Sequence, residues 1–236
     1  MRARGWAPGQ HRSSFKLAIR FPTTPTGVRL PPRDRNERVR GSLSTDVEGG
    51  FRHDHRERLS EGNGAEPALK YAVQRVCGGR AELVEGVIDC ASHDWDHEHT
   101  RSVLRTRLSE AVDRLQCVAG SGDLDLPGSL NWFVPDLAVV PKALAKGGGA
   151  LLPDQVLLVV EVTSESNAET DRVVKRKRYA EYGAPLYLLV DRLERSVTLF
   201  AEPGSLGYTK ADGPHPFGTS VRLPEPFGID LDTSGL

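Results

Sequence analysis

The chain has 236 residues, 38 % of them hydrophobic and 27 % charged, with a formal net charge of −1. That length sets one domain of about 150–200 residues plus an extension as the starting expectation, and no apolar run reaches the roughly 18–20 residues that a bilayer-spanning helix needs. The near-neutral total hides two unlike segments: residues 1–60 hold 13 Lys+Arg against 6 Asp+Glu, a net of +7, and residues 61–236 hold 18 against 26, a net of −8.

Residues 1–64 read as an irregular basic extension. Pro22, Pro25, Pro31 and Pro32 break any element, and RDRNERVRG is a solvated charge run. Disorder, or translation from a misassigned start codon (Met1 is the sole methionine), explains this stretch more simply than an arm gripping nucleic acid. From residue 65 to 236 the pattern is that of one mixed α/β domain. PALKYAVQRVCG reads as a short helix ending at Gly78, and RAELVEGVIDC as two strands turning at Glu85-Gly86. DHEHTRSVLRTRLSEAVDRL is a helix with Asp96 as N-cap and Val103, Leu104, Leu108, Ala111, Val112 and Leu115 at helical spacing. NWFVPDLAVVP is a strand entered through Pro135, and QVLLVVEVTS is a continuous apolar strand of the kind covered on both faces. SNAETDRVVKRKRYAEYG is a helix capped by Ser166 or Asn167 and closed by Gly183. PLYLLVD and SVTLFA are two further strands, and the Pro-rich tail GTSVRLPEPFGIDLDTSG has room for one more.

Two acids stand where acids are costly. Glu161 lies in the most apolar strand and Asp136 begins another, and an unpaired buried charge costs several kcal/mol or shifts its pKa. If the strands are neighbours, both carboxylates meet at one end of the sheet, an arrangement that suits Mg²⁺, a hard cation often held by one or two carboxylates plus a substrate phosphate. At 100° per residue Asp171, Lys175, Arg178 and Tyr182 form one helix stripe, flanked by Val174 and Tyr179, while Arg172, Arg176 and Lys177 point the other way. Lys175 on a sheet-facing stripe needs a carboxylate, and Glu161 is within reach.

An Asp in a PD pair, a strand-borne Glu and a Lys resemble the PD-(D/E)xK nuclease superfamily. More closely, RAELVEGVI, PDLAVV, VVEVTSESNAETDRVVKRKRYAEYGAPLYLLVD and VTLFAEP resemble the Uma-type restriction-endonuclease-like family, over about residues 66–236. The resemblance implies a restriction-endonuclease-like fold, a mixed sheet flanked by helices, and Mg²⁺-dependent hydrolysis of DNA phosphodiester bonds, with Mn²⁺ as a substitute. It carries Asp136 and Glu161 over as metal ligands, Glu82 as an acid that completes the metal shell, and Lys175 as the catalytic lysine, and on that reading Arg172, Arg176 and Lys177 meet the DNA phosphates. Two residues after Glu161, where the superfamily keeps its lysine, stands Thr163; the lysine has moved onto the helix. Asp171 and Tyr179 match structural helix positions. Cutting both strands takes two sites, which points to a homodimer.

Blander readings stand beside these. Asp136 could only cap a turn, Glu161 could only pair with Lys175, and Lys175 could be an amphipathic filler. The same fold without turnover would serve as a DNA-binding or protein-interaction module, and another phosphodiester could be the substrate. His93, His97 and His99 lack metal-site spacing, and His97 reads as a helix-start residue near the cleft. KGGGALL lacks the strand–loop–helix context of a phosphate-binding loop. Three cysteines without a CxxC imply reduced thiols in the cytoplasm, and FKLAIRF is too short and charged for a signal peptide.

Overall fold

The computed structural model describes residues 15–17, 64–76, 80–90 and 94–236. Among these residues thirteen strands form three sheets, accompanied by four α-helices. Strand β1 (Phe15–Leu17) pairs antiparallel with β3 (Val87–Cys90), so the irregular reading of the extension does not hold for these three residues. The rest of the extension lies outside the described residues, as do His93 and Cys77. Helix α1 (Ala65–Val73) packs its buried Leu69 and Val73 on β2 (Ala81–Val84) and β3. The hairpin between β2 and β3 turns at Glu85 (φ 48°) and Gly86 (φ 82°), the paired left-handed conformation that matches strand twist in a two-residue turn.

The 20-residue helix α2 (Trp95–Arg114) starts two residues earlier than the sequence suggests. Its N-cap is Asp94, whose carboxylate accepts from His97 N at 2.6 Å. NWFVPDLAVVP is not one strand but two. Pro135 cannot donate to a ladder, and there the chain leaves β6 (Asn131–Phe133), the partner of β5 (Leu124–Leu126) in the first sheet, for β7 (Leu137–Pro141) in the second. The first sheet runs β1-β3-β2-β6-β5. The second runs β11-β10-β9-β8-β7-β4, from β4 (Cys117–Gly120) through β8 (Leu158–Val162), β9 (Leu186–Asp191) and β10 (Ser196–Gly204) to β11 (Gly207–Pro216). Among the described strands only β8 and β9 pair parallel to each other. A parallel pair needs a crossover, supplied here by a π-helical turn (Thr170–Lys175) that runs into α4 (Arg176–Glu181). The helix then closes on Gly183 (φ 78°), where Ala184 N returns to Tyr179 O at 2.9 Å.

β8 is buried at all five positions because both faces of the second sheet are covered. On one face Val160 and Val162 meet Leu104 and Leu108 of α2 and the small hairpin of β12 (Val221–Leu223) and β13 (Ile229–Leu231). On the other, Val159, Tyr187 and Leu189 meet Phe133, Leu124 and Tyr179. The short α3 (Lys142–Ala145) follows β7. Cys117 is a buried free thiol, but Cys90 is disulfide-bonded, which corrects the expectation of three reduced cysteines. Among the described residues no helix is long and apolar enough to cross a membrane.

Candidate active site

The antiparallel register of β7 and β8 sets Leu137 opposite Val160 and, one step on, Asp136 opposite Glu161. The two acids lock the strand ends reciprocally: Val162 N donates to Asp136 Oδ2 at 2.7 Å, and Asp136 N donates to Glu161 Oε2 at 3.3 Å. Both side chains are almost fully buried. Lys175, at the end of the π-helical turn, brings its Nζ to 2.8 Å from Glu82 Oε2, 3.2 Å from Glu161 Oε1 and 3.4 Å from Asp171 Oδ1. Tyr179, one turn later, donates its hydroxyl to Glu161 Oε1 at 2.8 Å. Glu82 reaches in from β2, with its other oxygen accepting from Val134 N at 2.7 Å.

The structure thus brings together all four acids and bases singled out from the sequence: Asp136, Glu161, Lys175 and Glu82. It adds His97, whose Nε2 lies 3.1 Å from both Asp136 Oδ2 and Val162 O. Sequence reasoning placed His97 near the cleft but gave it no partner; its place in the first turn of α2, whose start faces the strand ends, was the available signal. Asp171 is also closer to the site than expected, at 0 % exposure. The buried stripe of the helix therefore passes through Asp171, Lys175 and Tyr179, while Arg178 turns outward to Glu85 and Glu181.

Four buried carboxylates share one ammonium. Burial pushes Glu161 well above the ordinary carboxylate range; Lys175 opposes the rise, and Asp171, Asp136 and Glu82 add to it. Glu82 rises for the same first reason, and Asp171 is pushed up to about 7. Asp136 alone falls below its usual value, because His97, Lys175 and the Val162 N–H outweigh its burial. Burial by itself would lower Lys175, but Glu161, Glu82 and Asp171 hold its ammonium well above its ordinary value. The cluster is short of positive charge.

That shortage is what a divalent cation would fill, and the donors are hard oxygens of the kind Mg²⁺ takes. Among the described residues no three His, Cys, Asp or Glu side chains already form a metal shell. Lys175 stands inside the carboxylate ring, and Glu82 and Glu161 each have both oxygens engaged, so either enters a shell only by exchanging a partner. The residues that would hold such an ion are Asp136, just before β7, and Glu161, opposite it on β8, with Glu82 beside them and water and phosphate completing the shell.

The cations expected to face DNA divide. Arg172 is committed to Asp191 through a two-pronged pair, Nε–Oδ2 at 2.6 Å and Nη2–Oδ1 at 2.8 Å. Arg176 lies over the Phe200 ring, and Lys177 is exposed with a 3.7 Å contact to Glu181. Arg172→Ala is therefore expected to act on stability, costing about 1–2 kcal/mol by leaving Asp191 under-partnered, without changing the salt dependence of DNA binding. Arg172 holds the Asp191 carboxyl below its ordinary value against burial. A depressed carboxylate contributes stability above its unfolded pKa and loses it as pH falls through the folded one. The melting difference between variant and wild type should thus be full at neutral pH and shrink in acid; a constant difference would argue against the pairing.

A family model described as "Uma2: Putative restriction endonuclease" matches residues 71–234. A search of curated proteins found no match. Among solved structures, the chain resembles "a putative nuclease belonging to DUF820 from Anabaena variabilis ATCC 29413", with a TM-score of 0.51 and 17 % identity over 65 % of this chain and 87 % of that one. At that identity the likeness concerns the fold, and it agrees with the restriction-endonuclease-like arrangement expected from the sequence.

Proposed function

The chain belongs to the Uma2 family, and on that premise we propose that it is a divalent-metal-dependent endonuclease that hydrolyses DNA phosphodiester bonds. The observation that carries this reading is the set of four buried carboxylates, Glu82, Asp136 and Glu161 on or beside strands and Asp171 on the π-helical turn, with a single lysine among them. A structural ion pair needs one acid for one base; three surplus buried acids cost stability and are retained where they serve function.

Asp136 and Glu161 would hold Mg²⁺, or Mn²⁺ in its place. The bound ion supplies Lewis-acid polarisation of the phosphate and a water of lowered pKa. His97 fixes the Asp136 carboxylate against Val162 O, and Tyr179 fixes Glu161, so neither acid has to be ordered when substrate arrives. Lys175 presents an ammonium that can orient the attacking water and stabilise charge growing on the phosphoryl oxygens. Lys177, which is exposed, would meet the DNA backbone with Arg176 beside it, and a homodimer would supply the second site that cutting both strands takes.

Incubating a supercoiled plasmid with the purified protein tests the reading. Nicked and linear products are expected with Mg²⁺ or Mn²⁺ and none with EDTA, the Mg²⁺-dependent activity being lost in Asp136→Asn. Tight DNA binding with no product in either metal would favour a binding module that has lost turnover.

A further inference from the structure

We propose that a cavity of about 220 Å³ beside Asp136 receives one unstacked nucleobase of the DNA strand being cut. The inference rests on the nuclease reading above and names how that site engages its substrate.

The cavity lies on the same sheet face as Glu161. Its floor is Val118 and Gly120 of β4 with Val140 and Ala138 of β7, which are direct cross-strand partners and so point to one side. Ala138 is in turn paired with Val159, and Glu161 follows two residues later on the same strand and face. Leu144 and Leu151 form the far walls. The near end adjoins the candidate metal pair, for Ser121 lines the cavity and donates to Pro135 O, one residue before Asp136, at 2.8 Å. Ala138 stands two residues from Asp136, about 7 Å along an extended chain.

Size and chemistry favour a single ring system. The volume is below the ~300–1,000 Å³ of sites for drug-sized ligands, and the walls are aliphatic with polar groups at one end, Ser121 and Asp123. Such a slot accepts the faces of a base and hydrogen-bonds its edge, as pockets for extruded bases do. Burial raises the Asp123 carboxyl against the opposing hydrogen bond from Trp132, which suits it to an uncharged partner such as a base edge. Gly120, Gly122 and Gly149 contribute backbone instead of side chains, and a Cβ at any of them would meet nothing within 4 Å. The space is therefore open enough to enter and can be filled deliberately.

Duplexes carrying 2-aminopurine at successive positions near the cleavage point test this, with Ca²⁺ replacing Mg²⁺ so that the duplex is bound but not consumed. Wild type is expected to give a several-fold rise in fluorescence at one position, the signal of a base leaving the stack. Gly120→Val and Gly149→Val, which enter the cavity from different walls, should each abolish that rise while melting like wild type; if one fails to fold, the other decides. DNA that is bound and cut with no position brightening, or brightening that survives in the folded variants, would overturn the pocket and leave the nuclease reading standing. Protein that neither binds nor cuts DNA would overturn both.

Discussion

Glu161→Gln is expected to lower cleavage by more than about 100-fold while leaving the metal-free protein as stable as wild type or more so. The substitution keeps the shape of the side chain and removes one of four crowded negative charges. Gln can still accept from Tyr179 OH, now 2.8 Å away, and Lys175 keeps Glu82 at 2.8 Å and Asp171 at 3.4 Å. Wild type should gain stability with Mg²⁺ as RT ln(1 + [L]/Kd), ~2.7 kcal/mol at a hundredfold excess over Kd, and the Gln protein should gain much less. Were Glu161 only a structural partner of Lys175, the substitution would leave a buried ammonium under-compensated and cost about 3–5 kcal/mol. Thermal melts of both proteins with and without Mg²⁺ separate the two. A destabilised Gln variant beside a metal-insensitive wild type would sink the metal site.

Lys175→Met should abolish cleavage and also destabilise the metal-free protein by about 3–5 kcal/mol, since it removes the ammonium that holds Glu82, Glu161 and Asp171 together. The protein should still bind Mg²⁺, and the ion should recover part of the lost stability, because it meets the same uncompensated carboxylates. Lys177→Ala is the contrast. Its side chain is 58 % exposed, so stability should stay within about 0.5 kcal/mol and the change should appear in the salt dependence of DNA binding. An active Lys175→Met beside a dead Lys177→Ala would show that the catalytic lysine has been misassigned.

The site was more legible than the sheets around it. Asp136 and Glu161 stand out because acids interrupt apolar strands, and Lys175 because it shares a helix face with Tyr179; each is a local anomaly. Residues with ordinary local contexts carried no such signal. His97 sits at a plausible surface position on its helix, and Asp171, though on the sheet-facing stripe, carried only a structural expectation; the packing of those helices on the strand ends buries both. The five strands without a sequence expectation, β1, β4, β5, β11 and one of the two in the tail, fail for a related reason. β1, β4 and β5 are three or four residues long, too short for alternation to register. β11 is an edge strand rich in Gly, Pro and charge, a composition that strands usually avoid and that edges favour. In the tail, β13 pairs with β12 across a turn built on Pro224 and Gly228. Arg172 was misread because a solvent-facing arginine on a helix looks available until its carboxylate, Asp191, is found at the end of a distant strand.

The wide turn at Thr170–Lys175 makes chain length part of the site. A π-helical segment spans its path with one residue more than an α-helix would use. Losing that residue would let the turn relax to ordinary pitch and swing everything before it by about 100° around the axis. Lys175 and Tyr179 would stay, anchored to Glu161, but Asp171 would leave the ring together with the carbonyl that Tyr187 OH holds at 2.9 Å. A deletion here is thus equivalent to a substitution in the carboxylate cluster, and a gap drawn through 170–175 when related chains are aligned would misplace one of its acids.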